Sequence, residues 1–427
     1  MLRSRFQCNI TSLMHTNKLF HPLSTLKERN FRLVWLSTIL AGSGQQMEVI
    51  VLAWFVLQLT NSPFLVGLIT AAHKAATILG ALSGALADRL PRRLVLMGVQ
   101  GITAALCAIM VGLIITDTLQ TWHIFAIAFL SGLARIFDQP ARQALVADTV
   151  NTESIFSGVA LNIAAMNLTM IAGPLLGGTL FALFGPGGSY SFMTGLYIIG
   201  AFLFFFIRTI PTTAPETESI WKIMSQGLAY VKHQQIIIAA LLMAAIANLT
   251  GFPFLFTLLP VYARDILGTE STGLGILMAA TGVGALFGSL ALASIRSSRY
   301  AGLLLIFTMI GWHCITIVIS QTQEFYMAFS YLILAGILQS MSMVLIATLL
   351  LEIAAPEYRG RVMGLRALAV YTLPIGSAIS GAMISNFGLE TTAMINGVTG
   401  VILIVALSIA MPNLRRSQDR SHQKLNA

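Results

Sequence analysis

Long apolar stretches separated by short polar breaks run along nearly the whole chain. Roughly 20 consecutive apolar residues suffice to cross a bilayer as a helix. On that measure the pattern predicts spans at 33–58, 64–86, 94–116, 122–147, 155–184, 190–208, 235–259, 271–294, 301–320, 325–352, 362–386 and 391–411. Several exceed the length a bilayer requires, which predicts tilt or extension into the cytoplasm. The tenth and eleventh spans are the least sharply bounded. The expected fold is therefore an all-α membrane protein with twelve transmembrane helices. One long polar stretch, Pro211 to Gln235, interrupts the series. It holds Pro211, Pro215, Glu216 and Glu218, then Ile220, Ile223, Met224, Leu228 and Val231 near helical spacing. This reads as a linker followed by a short amphipathic helix lying along the membrane surface, with an unstructured connector as the alternative.

The two sides of that linker are related. Gly80-Ala81-Leu82, Gly84 and Leu86-Ala87 recur about two hundred positions later as Gly284-Ala285-Leu286, Gly288 and Leu290-Ala291. Gly178 with Phe184-Gly185 recurs at nearly the same offset as Gly381 with Phe387-Gly388. A duplication of six helices predicts two pseudo-symmetric six-helix bundles related by an axis along the membrane normal. The expected organisation is a tail over 1–32, an N-terminal bundle over 33–208, a linker over 209–234, a C-terminal bundle over 235–411 and a tail over 412–427.

Composition agrees with the pattern. The 427 residues are 56% hydrophobic and only 10% charged, with a mean hydropathy of +0.82, which excludes a soluble globular class. The net charge of +9 does not indicate nucleic acid, because it lies on one face. With twelve spans, both termini and the even-to-odd loops share that face, which takes Arg32, Arg89, Arg92, Arg93, Arg142, Arg296, Arg359, Arg361 and Arg415 among others. The opposite loops offer Arg264 as their basic residue, beside Asp117, Asp265, Glu270, Glu324 and Glu390. By the positive-inside rule the termini are cytoplasmic, in an inner (plasma) membrane. Cys8, Cys107 and Cys314 lie on the tail and inside helices and form no disulfide framework. The stretch before Lys27 is basic and free of acids; it fits a cytoplasmic tail, or a start at Met14, better than a transit peptide.

Charges inside the spans disfavour insertion unless paired or wetted, so each is a functional candidate. Glu48 lies about 15 residues into span 1, Lys74 about 10 into span 2 and Arg135 about 13 into span 4, all near mid-membrane at roughly 1.5 Å per residue. Asp138 is one turn beyond Arg135 and is expected on the same helix face. These four form the expected proton-coupling group. Glu48 is the carboxylate that exchanges the proton, Asp138 is the second acid, and Arg135 and Lys74 favour the charged form. A static cluster bracing the N-terminal bundle is the alternative. Gln45, Gln46, Asn162, Asn167, Asn248, Gln339 and Tyr371 are candidates for lining a cavity, although each alone equally fits a bond between neighbouring helices. His73 and His313 fit structural roles.

Five segments carry a resemblance. Gly84-x-Leu86-Ala87-Asp88-Arg89-x-Pro91-Arg92-Arg93 joins spans 2 and 3, and Asn30-Phe31-Arg32-Leu33-Val34-Trp35 enters span 1, which Trp54 to Thr60 leaves. Phe137-Asp138-Gln139-Pro140-Ala141-Arg142-Gln143-Ala144-Leu145 ends span 4, and Arg359-Gly360-Arg361-Val362-Met363 precedes span 11. In order and spacing they resemble the major facilitator superfamily. Within it, they are similar to a branch of bacterial exporters that includes enterobactin-type siderophore exporters and macrolide efflux pumps. The resemblance extends over nearly the whole chain from Asn30, with Pro91 where the family usually has glycine. It implies that Gly84, Asp88, Arg89, Arg92 and Arg93 form a gating loop. An aspartate at a helix end can bind arginines or helix-terminal amides of a neighbour and latch the bundles; a solvated topogenic loop is the alternative. Leu292 and Ala293 stand at the positions equivalent to Asp88 and Arg89, which argues against a second latch. In span 5, Gly173-Pro174-Leu175-Leu176-Gly177-Gly178 looks like the family's antiporter motif, with Thr169 in place of its first glycine. It implies export by exchange; the small residues and proline equally fit tight packing with a kink.

The expected function is secondary active transport, proton-coupled export of a small amphipathic molecule of drug or siderophore type by alternating access. Proton-symport uptake of a small metabolite and a non-transporting sensor of the same fold are the alternatives. No Gly-Lys pair exists for a phosphate-binding Walker loop, and no convergent His, Asp or Cys cluster marks an enzyme or metal site. The expected partners are substrate, protons and the lipid bilayer, with no cofactor, no metal and no nucleic acid, and the protein is expected to be a monomer.

Overall fold

The computed structural model describes residues 22–76, 91–151, 154–207, 226, 228–232, 234–294 and 300–415. The gating-loop residues Gly84, Asp88 and Arg89 and most of the linker lie outside the described residues, as does the N-terminal copy of the Gly80 repeat. Within them ten helices are long and apolar enough to cross a bilayer. Two further spans bring the count to twelve. Pro63–Ala75 begins one whose remainder lies outside the described residues. Ile155–Phe205, at 51 residues, would measure about 76 Å as one rod, more than twice a hydrocarbon core. It breaks at Gly185, whose φ of 66° and ψ of −170° leave the helical region, with Pro186 directly after. Glycine tolerates that φ without a Cβ clash, so spans 5 and 6 meet in a corner with no loop between them.

Local chemistry sets the other boundaries. Span 1 (Arg29–Thr60) ends at Asn61, left-handed at φ 51° with its N–H on Leu57 O. Span 2 starts directly afterwards, with Ser62 accepting from the Leu65 N–H at 3.3 Å and Pro63 in the first turn. Span 3 is Arg92–Ile115, and span 4 (Thr121–Asp148) opens with a Gln120–His123 capping box. Span 7 (Gln235–Asp265) is widened by π-helical turns at Ala247–Gly251 and Phe254–Leu258, on either side of Pro253. Such turns absorb the backbone bond that proline cannot make. Spans 8, 9, 10 and 12 are Ser271–Ala293, Ala301–Ser320, Phe325–Ile353 and Leu389–Ala410, and span 11 lies within Pro356–Phe387. Large apolar side chains such as Ile102, Ile109, Phe202, Phe205, Phe307 and Ile402 are exposed, as expected of surfaces solvated by lipid.

Two seams join the halves, and each is a copy of the other. Along span 5, a Cβ on Gly178 would lie 2.3 Å from Ser271 O of span 8, and one on Gly275 would lie 2.6 Å from Pro174 O. Along span 11, a Cβ on Gly381 would lie 2.9 Å from Pro63 O of span 2, and one on Gly67 would lie 2.4 Å from Ser377 O. Small residues allow backbone to touch backbone in both places. This pairing makes Gly67 the counterpart of Gly275 in the other seam, about one helical turn from the register of the Gly80–Gly284 repeat. Both seams lie toward the face opposite the termini, where Arg264 of span 7 also donates to Leu57 O and Asn61 Oδ1 of span 1, each at 3.0 Å. The halves are therefore tied on that face.

One sequence expectation needs correction. The helical hydrogen bonding of span 4 is interrupted by a turn at Ile136 and Phe137 and resumes at Asp138, but the backbone there stays in the right-handed α region, so the span runs on as Thr121–Asp148. Arg142, counted above among the loop residues of the terminal face, is only 3% exposed. It folds inward because Asp138, one turn earlier, offers both carboxylate oxygens. At the described end of the expected linker, Val231 is buried and Leu228 exposed, and Tyr230 stacks on Tyr358 at 4.1 Å.

Candidate functional site

Glu48 is 2% exposed at the centre of span 1. Its Oε2 accepts from Arg135 Nη2 of span 4 and, at 3.3 Å, from Ser131 Oγ one turn earlier. The same Nη2 donates to Tyr197 Oη of span 6 at 2.6 Å. That third partner is positioned by Gly44: a Cβ there would lie 2.8 Å from Tyr197 Cζ, so only glycine lets the ring reach across span 1. Three spans thus close on one guanidinium. Nε and Nη1 of Arg135 are buried and meet no hydrogen-bond acceptor among the described residues.

A second network lies one turn toward the termini. Arg142 holds Asp138 through Nε at 2.8 Å and Nη2 at 2.7 Å, and its Nη1 donates to Thr38 Oγ1 at 3.1 Å. Thr38 bonds Asn162 Oδ1 of span 5 at 3.2 Å. Bidentate arginine–carboxylate pairs are geometrically selective, and this one fixes the restart of span 4 against spans 1 and 5.

Between the two networks lies a cavity of about 220 Å³, inside the N-terminal half and framed by spans 1, 3, 4, 5 and 6. Gln45, Gln46, Arg135, Asp138, Arg142 and Tyr197 are on its wall. Of the other residues expected to line a cavity, Asn162 lies just behind the wall, bonded to Thr38. Asn248 bonds Ala244 O within span 7; Asn167, Gln339 and Tyr371 do not border this cavity. Of the expected proton-coupling group, Glu48 and Arg135 are brought into contact and Asp138 is paired with Arg142 instead. Lys74 points across to the other half, with Nζ 5.6 Å from the ring centre of Phe256 in span 7.

The motif in span 5 serves two surfaces. Gly173 and Gly177 face span 1, where a Cβ would lie 2.4 Å from Gln46 Cβ and 3.0 Å from Met47 Cα. Pro174 and Gly178 face span 8 in the other half. Thr169, in place of a glycine, meets a compensating glycine: a Cβ on Gly42 would lie 3.0 Å from its side chain. Of the gating-loop residues, Arg92 pairs with Asp148 at the end of span 4. Arg93 donates to Ile207 O at 2.9 Å and Phe205 O at 3.1 Å, closing the exposed carbonyls at the end of span 6.

Sequence reasoning missed Tyr197 as a partner of Arg135 and Arg264 as a tie between the halves. The four-residue spacing of Asp138 and Arg142 was a legible signal for that pair; nothing in the sequence marks Tyr197 apart from other tyrosines.

Among curated relatives, the chain is 23% identical to the multidrug efflux pump Tap of Mycolicibacterium fortuitum, covering 92% of this chain and 98% of that protein. It is 26% identical to the enterobactin exporter EntS of Shigella boydii, covering 92% and 95%. It is 21% identical to the staphyloferrin A transporter of Staphylococcus aureus, covering 91% and 98%. Among solved structures, an inward-facing, unoccupied bacterial homologue of the human lysosomal transporter Spinster superposes with a TM-score of 0.69 at 14% identity, covering 90% and 95%. The nucleoside transporter NupG gives a TM-score of 0.67 at 15% identity, covering 90% and 98%. A family profile described as transmembrane secretion effector matches residues 20–426. The chain therefore belongs to the transmembrane secretion effector family of major facilitator superfamily transporters.

Proposed function

We propose that this transporter exports a small amphipathic molecule in exchange for protons, with Glu48 as the group that carries the proton. The observation that carries the reading is the buried Glu48–Arg135 contact behind a cavity wall. A carboxylate removed from water persists only while paired and hydrogen-bonded. Any event that draws Arg135 away transfers the choice to a proton. Substrate entering the cavity and movement of span 6, which carries Tyr197, both act on the same guanidinium. Asp138 is a poorer carrier because Arg142 holds both of its oxygens.

The basic face that bears the termini is the cytoplasmic one on this reading. The halves, tied on the other face through the glycine seams and Arg264, then stand inward-facing, and export requires those ties to break. The 33–208 and 235–411 bundles are the bodies that rock. Outward direction is supported by the small-residue motif at the span 5–span 8 seam and by relatives named as exporters and an efflux pump. In purified vesicles with an imposed pH gradient, screened with candidate siderophores and drugs, the native protein should move substrate against proton flow. Glu48→Gln should insert and fold yet show no gradient-driven flux; full coupled activity in that variant would refute the assignment.

A further inference from the structure

Tyr190 of span 6 is 1% exposed, and its hydroxyl meets no hydrogen-bond partner among the described residues. A buried hydroxyl left unserved is unfavourable, and the seal around this one keeps water from serving it. Phenylalanine would fill the same space without that cost, so the hydroxyl calls for a partner in another state of the protein. Helical register says where that partner stands. Tyr190 lies two turns before Tyr197 on one face of span 6, and Tyr197 meets span 1 at Gly44. Spans 1 and 6 run in opposite directions across the bilayer. Two turns back along span 6 therefore match two turns forward along span 1, about 10 Å on from Gly44 and level with Val51. Glu48, about 6 Å on from Gly44 on the same face, falls between the two tyrosines.

Electrostatics agree with that order. Among the charged groups of the described residues, Arg135 acts most strongly on Tyr197 and Glu48 most strongly on Tyr190. The groups that face Glu48 are Lys74 of span 2, Cys107 of span 3, Ser131 and Arg135 of span 4, and the two tyrosines of span 6. Both hydrogen bonds that Glu48 accepts fall on Oε2. Arg135 and Lys74 only donate, which suits a carboxylate; a protonated carboxyl adds an O–H that needs an acceptor, and a phenol accepts as well as donates. Tyr197 is already engaged by Arg135 Nη2 at 2.6 Å, and Ser131 moves with Arg135 because both lie on one turn of span 4. A thiol such as Cys107 is a weak partner. Tyr190 is the phenol with no bond to give up. Rotation about the side-chain bonds of Glu48 swings its carboxyl along span 1 toward that hydroxyl.

We infer that Tyr190 is the second partner of Glu48: once Arg135 withdraws, the protonated carboxyl turns to the Tyr190 hydroxyl, on the side away from the termini. The proton comes from water and stays on Glu48; the phenol gains a hydrogen bond and loses no proton. Tyr190 is thus a positioning residue, and its role rests on the proposed reading of Glu48 as the proton carrier. The test is an infrared titration of the carboxyl C=O stretch in purified full-length protein in lipid nanodiscs, in the native and Arg135→Met backgrounds. The Glu48 band is the one that Glu48→Gln removes. Tyr190→Phe should move its midpoint about one pH unit toward acid, the tenfold effect of one hydrogen bond, and shift the band to higher wavenumber. The sign follows because the hydroxyl serves the protonated form, so its loss lowers proton affinity. If Arg135→Met does not insert, the native background carries the comparison. In native protein at neutral pH, Tyr190→Phe should leave the unfolding temperature unchanged or raise it, since only an unserved hydroxyl is removed. An unmoved midpoint and band overturn the inference, as does a shift toward alkali, a fall in unfolding temperature, or the absence of a titrating Glu48 band in both backgrounds. Coupled flux retained by Glu48→Gln in the vesicle assay would overturn the carrier role and leave the infrared result standing, so the two readings fail separately.

Discussion

At Glu48 the balance is between a charge hidden from water and the partners that hold it there. Arg135 and Ser131 supply those partners from a single turn of span 4. Breaking a buried pair by removing one member destabilises by about 3–5 kcal/mol, whereas replacing both members by apolar groups of similar volume is often neutral. Glu48→Ala should therefore lower unfolding stability in detergent by about 3–5 kcal/mol. The double variant Glu48→Leu, Arg135→Met should recover most of that loss while remaining inactive. Equal destabilisation of both variants would show that the residues do not act as a pair. The depth of Glu48 and Arg135 was legible because a lone charge in an apolar run is conspicuous. Tyr197 was not legible, since its role depends on the space that Gly44 leaves on a different helix.

Helices meet here in two ways, and span 5 shows both. Gly173 and Gly177 let span 1 approach within the N-terminal half, while Gly178 meets span 8 of the other half. The sequence displays these glycines as one motif because they are adjacent in the chain; 3.6 residues per turn sends them to different neighbours. Their substitution should separate accordingly. Gly178→Ala and Gly67→Ala place a Cβ against the carbonyl oxygens of Ser271 and Ser377 across the seams, and should pry the halves apart on the face opposite the termini. Faster thiol labelling of a cysteine introduced at Ser377, buried at the span 2–span 11 seam, with little loss of stability, is the expected readout. Gly177→Ala crowds Met47 inside one half and should lower stability without that acceleration. Identical labelling in all three variants would dissociate the seams from opening.

For the molecule as a whole, the twofold relation of the halves places spans 5 and 8 and spans 11 and 2 in matching seams, yet the chemistry is lopsided. Among the described residues the deep ion pairs lie in the N-terminal half, and the tie made by Arg264 comes from span 7. Arg264 bridges Leu57 and Asn61 while Asp265 holds its other side at 2.6 Å and 3.2 Å. Arg264→Gln should weaken the tie and raise the accessibility of the same introduced cysteine. Unaltered accessibility would mean that the glycine seams alone keep that face shut. The sequence by itself determined the membrane class, the twelve spans, the repeat, the excess of basic residues on one face and the depth of the charges. Each of these follows from the length and polarity of local segments in contact with lipid or water. Only the tertiary structure decided that Asp138 serves Arg142, that Lys74 reaches Phe256, and that the antiporter-like glycines divide between two neighbours. Those outcomes depend on which helices stand side by side and how each is turned about its axis, and apolar stretches of similar composition leave both open until they pack.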